Sequence, residues 1–273
     1  FVIISDALRY ESAAELRELI LQEDRYTATL NTVLGSLPSY TQLGMASLLP
    51  HTALTFEEQN DIVYADGIST QGTPNRTKVL QKTYPGSIAI GAEDFLKMKS
   101  NTEGREFIKP YNVIYIYSNH IDKTGDDKTS EGKVFEATET EFDYLLRILR
   151  HINNMNGYNM IITADHGYLY QHNRLDESDF TDFKPVGTIY KTSRRFVLGK
   201  QLLPDQSVQK WEGGALGFDD DTEALIPKSI NRMRYSGGSR FVHGGSSLQE
   251  IVVPVLEINK SRKSDIEQVD IDI

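Results

Sequence analysis

The sequence predicts an α/β domain with a mostly parallel central sheet flanked by helices. Short apolar runs at 1–4, 112–117, 158–162 and 251–256 have the length and β-branched content of buried strands. Stretches of helical periodicity separate them, and buried strands alternating with amphipathic helices favour parallel pairing. Two runs also end abruptly on chemistry, at Ser5-Asp6 and at Ala164-Asp165-His166-Gly167. In an open α/β sheet, ligands bind outside the carboxyl ends of the strands, so these side chains face the crevice.

Composition narrows the chemistry. With 273 residues the chain can bury a substantial core. It has no cysteine, which excludes disulfides and thiolate metal sites and leaves Asp, His and hydroxyl oxygen as ligands. A net charge of −10 argues against broad non-specific binding to nucleic acid, while a local basic pocket stays open. No window has the roughly 18 apolar residues of a membrane span, and no signal peptide is visible. The chain opens inside an apolar strand, so it reads as one domain, 1–273, excised from a longer protein.

Taken in order, the first strand delivers Asp6, and from Ala7 the pattern turns helical with Leu8, Leu16, Leu19 and Ile20 on one face. Asp6 could cap that helix, bind a metal, or do both. Pro38 then stops whatever precedes it, and 41–49 reads as a short helix closed by Pro50. A hydroxyl at a helix start beside a metal is placed for nucleophilic attack, though Ser and Thr are common as plain caps. Residues 51–110 offer short strands at 62–65 and 87–91 and a helix starting near Arg76, with no chemistry assigned.

The strand 112–117 runs into a loop, 118–127, dense in ligand-type side chains: Asn119, His120, Asp122, Asp126 and Asp127. It is either a second metal half-site or a solvated acidic loop. A long amphipathic helix follows at 133–154, with Phe135, Phe142, Leu145, Leu146 and Leu149 inward. Asp165 and His166 then offer the hard oxygen and borderline nitrogen that zinc accepts, and Gly167 lets the backbone turn. The plain alternative is a helix cap at Asp165 beside a polar loop histidine. Residues 168–240 read as an irregular cap containing a strand entered by Arg194 and Arg195. Asp219-Asp220-Asp221 is either a calcium ligand set or a solvated turn. A hairpin over 232–242, turning at Gly237-Gly238, delivers His243-Gly244-Gly245 ahead of a short helical turn and the closing strand.

The stretches 4–11 (ISDALRYE), 37–46 (LPSYTQLGMA), 119–126 and 240–250 (RFVHGGSSLQE) resemble the PglZ domain of BREX phage-defence systems, a branch of the alkaline phosphatase superfamily. The resemblance runs from Phe1 to about Leu256 and implies an alkaline-phosphatase-like fold. By position, it implies Thr41 as the nucleophile of a phosphodiesterase branch. Asp6, Thr41, Asp165 and His166 would hold one metal, and Asp122 and His243 would hold a second. The superfamily has His four residues after the Asp122 position. Here Asp126 stands there, and His120 is near enough in sequence to substitute.

The resemblance further implies one or two divalent cations, zinc first and manganese as the alternative. The substrate would be a phosphodiester of a nucleotide or nucleic acid, and the partners other BREX-type defence proteins in the cytoplasm, with no membrane. Arg9 or the Arg194-Arg195 pair would clamp phosphate oxygens, or else form ordinary surface salt bridges. A catalytically degenerate scaffold of a defence complex is the alternative function.

Overall fold

The computed structural model describes residues 1–23, 25–173, 175–235 and 240–260. Its centre is a six-stranded mixed sheet built from β1 (Val2–Ser5), β2 (Tyr26–Leu34), β3 (Ser87–Gly91), β4 (Val113–Ser118), β5 (Asn159–Thr163) and β6 (Val252–Lys260), in the spatial order β2-β6-β5-β1-β4-β3. The pairs β1–β4, β1–β5 and β3–β4 are parallel. Strand β6 is antiparallel to both β5 and β2.

This mixture concentrates the functional side chains at one edge. Strands β1, β4 and β5 end there on Asp6, on Ser118-Asn119 and on the turn to Asp165. Because β6 runs the other way, it begins at that edge, and the 243–251 segment arrives beside the others. Strand β2, antiparallel to β6, points with the parallel set, and its end at Leu34, opposite Val252, feeds the segment leading to Thr41.

The two faces are covered differently. Alternation along β4 sends Ile114 and Ile116 to one side, where they join Leu16 and Ile20 of α1 (Tyr10–Leu21) and Leu145, Ile148 and Ile152 of a 21-residue helix, Val134–Asn154. Tyr115 and Tyr117 point to the other side, against a second core shared with the helices Thr41–Ser47 and Gly72–Thr83 and with Phe196 and Leu198.

Several expectations change. Strand β2 has no counterpart in the sequence reading, and 118–127 is largely helical, over His120–Asp126. The stretch expected to form a cap is less irregular than expected: Thr188–Thr192, Val197–Lys200, Val208–Trp211 and Glu223–Pro227 form a four-stranded sheet. There is no 232–242 hairpin among the described residues, because Arg232–Met233 pairs with Phe180–Thr181 and Phe241–Val242 pairs with Leu169–Tyr170. Its turn at Gly237-Gly238 lies outside the described residues. Phe135, expected inward, is 52% exposed and packs edge-on against Tyr170. Asp220 accepts from the main-chain N–H of Phe56 and Thr222, so that member of the acidic triple pins a turn.

Candidate active site

Thr41 is the first residue of its helix. The hydroxyl Oγ1 lies 3.1 Å from His166 Nε2. The Pro-Ser-Tyr segment ahead of it is fastened on both sides. Ser39 Oγ donates to Gly245 O (2.6 Å) and accepts from Gly244 N (3.2 Å), and Tyr40 stacks on Phe196 at 4.7 Å. Neither side chain caps the helix; Tyr40 occupies the cap position without a side-chain capping bond.

Asp6, Asp165 and His166 are buried, and each offers an atom within 4.8 Å of those of the other two. Asp6 is not a helix cap, since the helix starts four residues later with Arg9 in the cap position. Asp165 Oδ1 accepts from Ala7 N at 3.2 Å, and Ala7 itself sits at φ 64°, a left-handed turn that swings the chain away from Asp6. His166 Nδ1 lies 2.9 Å from Gly167 O, which makes Nδ1 the protonated nitrogen and aims a lone pair at Nε2 toward Thr41, Asp165 Oδ2 (3.4 Å) and Asp6 Oδ1 (3.7 Å).

A second group adjoins it. His243 Nε2 lies 3.5 Å from Asp126 Oδ1 and 3.7 Å from Asp122 Oδ1, and the two imidazoles stack with centroids 4.3 Å apart. Asp122, His166 and His243 also offer atoms within 4.8 Å of one another, so His166 belongs to both groups. The helix His120–Asp126 places Asp122 and Asp126 one turn apart on one face. His120 is directed elsewhere: its Nδ1 donates to the fully buried Glu141 at 2.5 Å.

The electrostatics of these groups would suit a bound cation. Three buried carboxylate oxygens, Asp6 Oδ1, Asp122 Oδ1 and Asp165 Oδ2, have no hydrogen-bond donor, a costly arrangement unless a cation answers them. Burial, then the Asp165 and Asp122 charges, push the Asp6 carboxyl well up, and Arg76 opposes this. Burial likewise lifts Asp165 to about 6. Burial and the His243 charge hold His166 down at about 4. For His243 burial opposes protonation, but the hydrogen bond to Asp126 and the charges of Asp122, Asp126 and Asp165 outweigh it and hold the ring at about 9. Carboxylates and imidazoles in this number fit a divalent cation of the zinc or manganese type.

Of the expected phosphate clamps, Arg9 pairs with Glu11 and stands over the Tyr168 ring at 5.0 Å. Arg195 is fully buried and bidentate to Glu250 (3.0 and 2.9 Å), so it holds the fold and cannot reach a substrate. Arg194 lines a cavity of about 710 Å³ beside Thr41 and His243, together with Tyr190, Lys191 and Tyr235.

The chain matches the profile of the BREX system PglZ alkaline phosphatase-like domain over residues 1–258. It belongs to the PglZ family. The alkaline phosphatase-like protein BrxZ of Escherichia coli O9:H4 (strain HS) is 50% identical over 98% of this chain, and PglZ of Bacillus cereus (strain H3081.97) is 37% identical over 99%. The chain spans about a third of each relative's length, 31% and 32%.

Solved structures of similar fold include murine ectonucleotide pyrophosphatase/phosphodiesterase 5, with a TM-score of 0.59 and 10% identity over 94% of this chain and 87% of that one. Phosphonoacetate hydrolase from Sinorhizobium meliloti 1021, in complex with phosphonoformate, gives 0.54 and 13% over 94% and 88%. The fold of this PglZ-family chain is therefore alkaline-phosphatase-like, as expected.

Glu141 is the residue that sequence reasoning missed. It is fully buried and accepts from Ser5 Oγ (2.7 Å), Ser118 Oγ (3.0 Å) and His120, tying together the ends of β1 and β4.

Proposed function

We propose that this PglZ-family chain is a metal-dependent phosphoesterase acting on phosphodiesters, with Thr41 as nucleophile. The reading rests above all on one observation: the Thr41 hydroxyl meets His166 Nε2 at 3.1 Å beside buried carboxylate oxygens that lack any donor. Asp6, Thr41, Asp165 and His166 would hold one cation, and Asp122, Asp126 and His243 a second, zinc or manganese in either case. A bound cation of this kind supplies positive charge against phosphoryl oxygens and lowers the pKa of a nearby hydroxyl. His166, locked in one tautomer by Gly167 O, keeps Nε2 directed at Thr41 Oγ1. That oxygen attacks phosphorus while the bond to the leaving alcohol breaks, and water frees the threonine in a second displacement.

The surroundings of Thr41 support a substrate class. The 710 Å³ cavity beside Thr41 combines Tyr190 and Tyr235 with Lys191 and Arg194, a setting that suits a nucleoside and its phosphate. We therefore favour a nucleotide or nucleic-acid end, hydrolysed within a BREX-type assembly in the cytoplasm, with other defence proteins as partners. No helix among the described residues is long and apolar enough to cross a membrane. Residues 168–240 would serve as the cap of a single domain.

Asp126 favours a second reading. It stands where the superfamily pattern has His, with its side chain 58% exposed, and a degenerate scaffold would tolerate that change. Metal content and turnover of bis(p-nitrophenyl) phosphate by the full chain, with zinc or manganese supplied, separate the two. Bound metal with turnover supports the esterase; neither bound metal nor turnover supports the scaffold.

A further inference from the structure

A second cleft, of about 500 Å³, opens on the other side of Thr41, and Asp6 lines it too. Its wall also draws on β4, the helix Ala92–Lys97, the helix His120–Asp126 and the helix Gly72–Thr83, which contributes Arg76. The Arg76 guanidinium is prearranged. Its Cζ lies over the Tyr117 ring, 4.5 Å from the centroid, and Nε donates to Thr70 O at 3.1 Å. Thr70 is itself fully buried, donating to Val63 O (2.8 Å) and accepting from Gln42 (3.1 Å), the neighbour of Thr41. The Nε edge and one face of the guanidinium are thus engaged, and among the described residues no ion pair holds its terminal nitrogens. Among the described residues Arg76 pairs with no carboxylate, and neither does Lys123, which lines the same cleft.

Of the carboxylates of the cleft, Glu93 and Asp94 both pair with Lys97 (3.0 and 3.1 Å), while Asp6, which feels the Arg76 charge, faces the proposed metal site. A guanidinium presents paired donors that match phosphate oxygens, and one held in place by an aromatic ring and a main-chain carbonyl is preorganised for that role. Substrate groups at Thr41 have access to both clefts, because Thr41 lines both.

We propose that this cleft is a subsite for a second phosphate, distinct from the one at Thr41, with Arg76 as its anchor and Lys123 in support. The proposal rests on the reading of Thr41 as the reaction centre. It makes the preferred substrate one that carries another phosphate next to the reacting one.

The test is calorimetric binding of thymidine 3′,5′-bisphosphate and thymidine 5′-phosphate to the full, zinc-loaded chain. The two probes share a nucleoside and one phosphate, so their affinity ratio isolates the second phosphate. Wild type should favour the bisphosphate by about tenfold. Arg76→Ala should bring the ratio close to one, and Arg76→Lys should fall between. A wild-type ratio near one, or an unchanged ratio in Arg76→Ala, overturns the proposal. Should Arg76→Ala not fold, Lys123→Ala decides: Lys123 is exposed, and the ratio should fall about twofold to threefold, an unchanged ratio counting against the subsite. Absence of diester turnover by the wild type would instead strike the catalytic reading, and it leaves the binding ratio measurable.

Discussion

Gly44 packs directly on the backbone of Asp165: a Cβ at that position would lie 2.5 Å from the Asp165 carbonyl oxygen and 2.8 Å from its Cβ. The helix that carries Thr41 can therefore approach the strand end that carries Asp165 and His166 only because residue 44 has no side chain. The contact couples the position of Thr41 to the turn that carries Asp165 and His166.

Gly44→Ala should force those two backbones apart. Overpacking of this kind typically costs about 1–3 kcal/mol, and here the displacement also separates Thr41 from His166. Diester turnover should fall at least tenfold with a lowered thermal midpoint. Wild-type turnover would show that the close packing does not set the Thr41 position.

Removing one partner of the Arg195–Glu250 pair should be severe. Both side chains are fully buried. Glu250 also accepts from Gly245 N (2.9 Å) and from Ser247 Oγ (2.7 Å), holding the loop that carries His243. Breaking a buried pair from one side costs about 3–5 kcal/mol. Glu250→Ala should show that loss in a denaturant titration, with metal content reduced as the His243 loop is released. A change below about 1 kcal/mol contradicts this.

Glu141→Ala should loosen the spacing between Asp6 and Asp122. It strips the acceptor from Ser5, Ser118 and His120 together, and each buried polar group left unpaired costs about 1–3 kcal/mol. Weakened metal affinity in a protein that still folds is the expected result by calorimetry. Unchanged affinity would mean that Glu141 serves only the core.

The metal-free protein should gain stability as pH falls from about 9 toward 6.5. His243 titrates at about 9 when folded against an ordinary 6.5, so the stability it supplies is present below 6.5 and is lost as pH rises through 9. Asp165, lifted to about 6 from 3.8, has the same sign and adds only at the acidic end. His166, held at about 4, works the other way, but only below its ordinary 6.5. Saturating zinc should reverse the trend, since ligands must lose protons to bind it. Thermal midpoints at several pH values, with and without zinc, check this; parallel curves would contradict it.

Much of this was legible because buried strands announce their ends. Apolar runs that stop at Asp6 and at Asp165-His166 located two of the five converging segments, and Thr41 and His243 followed from the family resemblance. Strand β2 was not legible, since Tyr26–Leu34 is an edge strand rich in threonine whose last four residues, Asn31 to Leu34, are exposed. Glu141 looked like the wet face of an amphipathic helix. Yet it lies in register with the buried Val134, Thr138, Leu145, Ile148 and Ile152, at alternating spacings of four and three, and that phase could have revealed it. The pairing of Arg195 with Glu250 joins residues 55 apart, a relation that no local pattern encodes.

The central claim, a threonine nucleophile in a metal centre built from carboxylates and histidines, is tested most directly by Thr41→Ala. Zinc content and bis(p-nitrophenyl) phosphate turnover should be measured on the same preparations, with Asp165→Ala alongside. We predict no turnover in Thr41→Ala with metal content within about twofold of wild type, since Asp6, Asp165 and His166 remain, whereas Asp165→Ala loses both. Hydrolysis of the diester by Thr41→Ala at the wild-type rate would contradict the account.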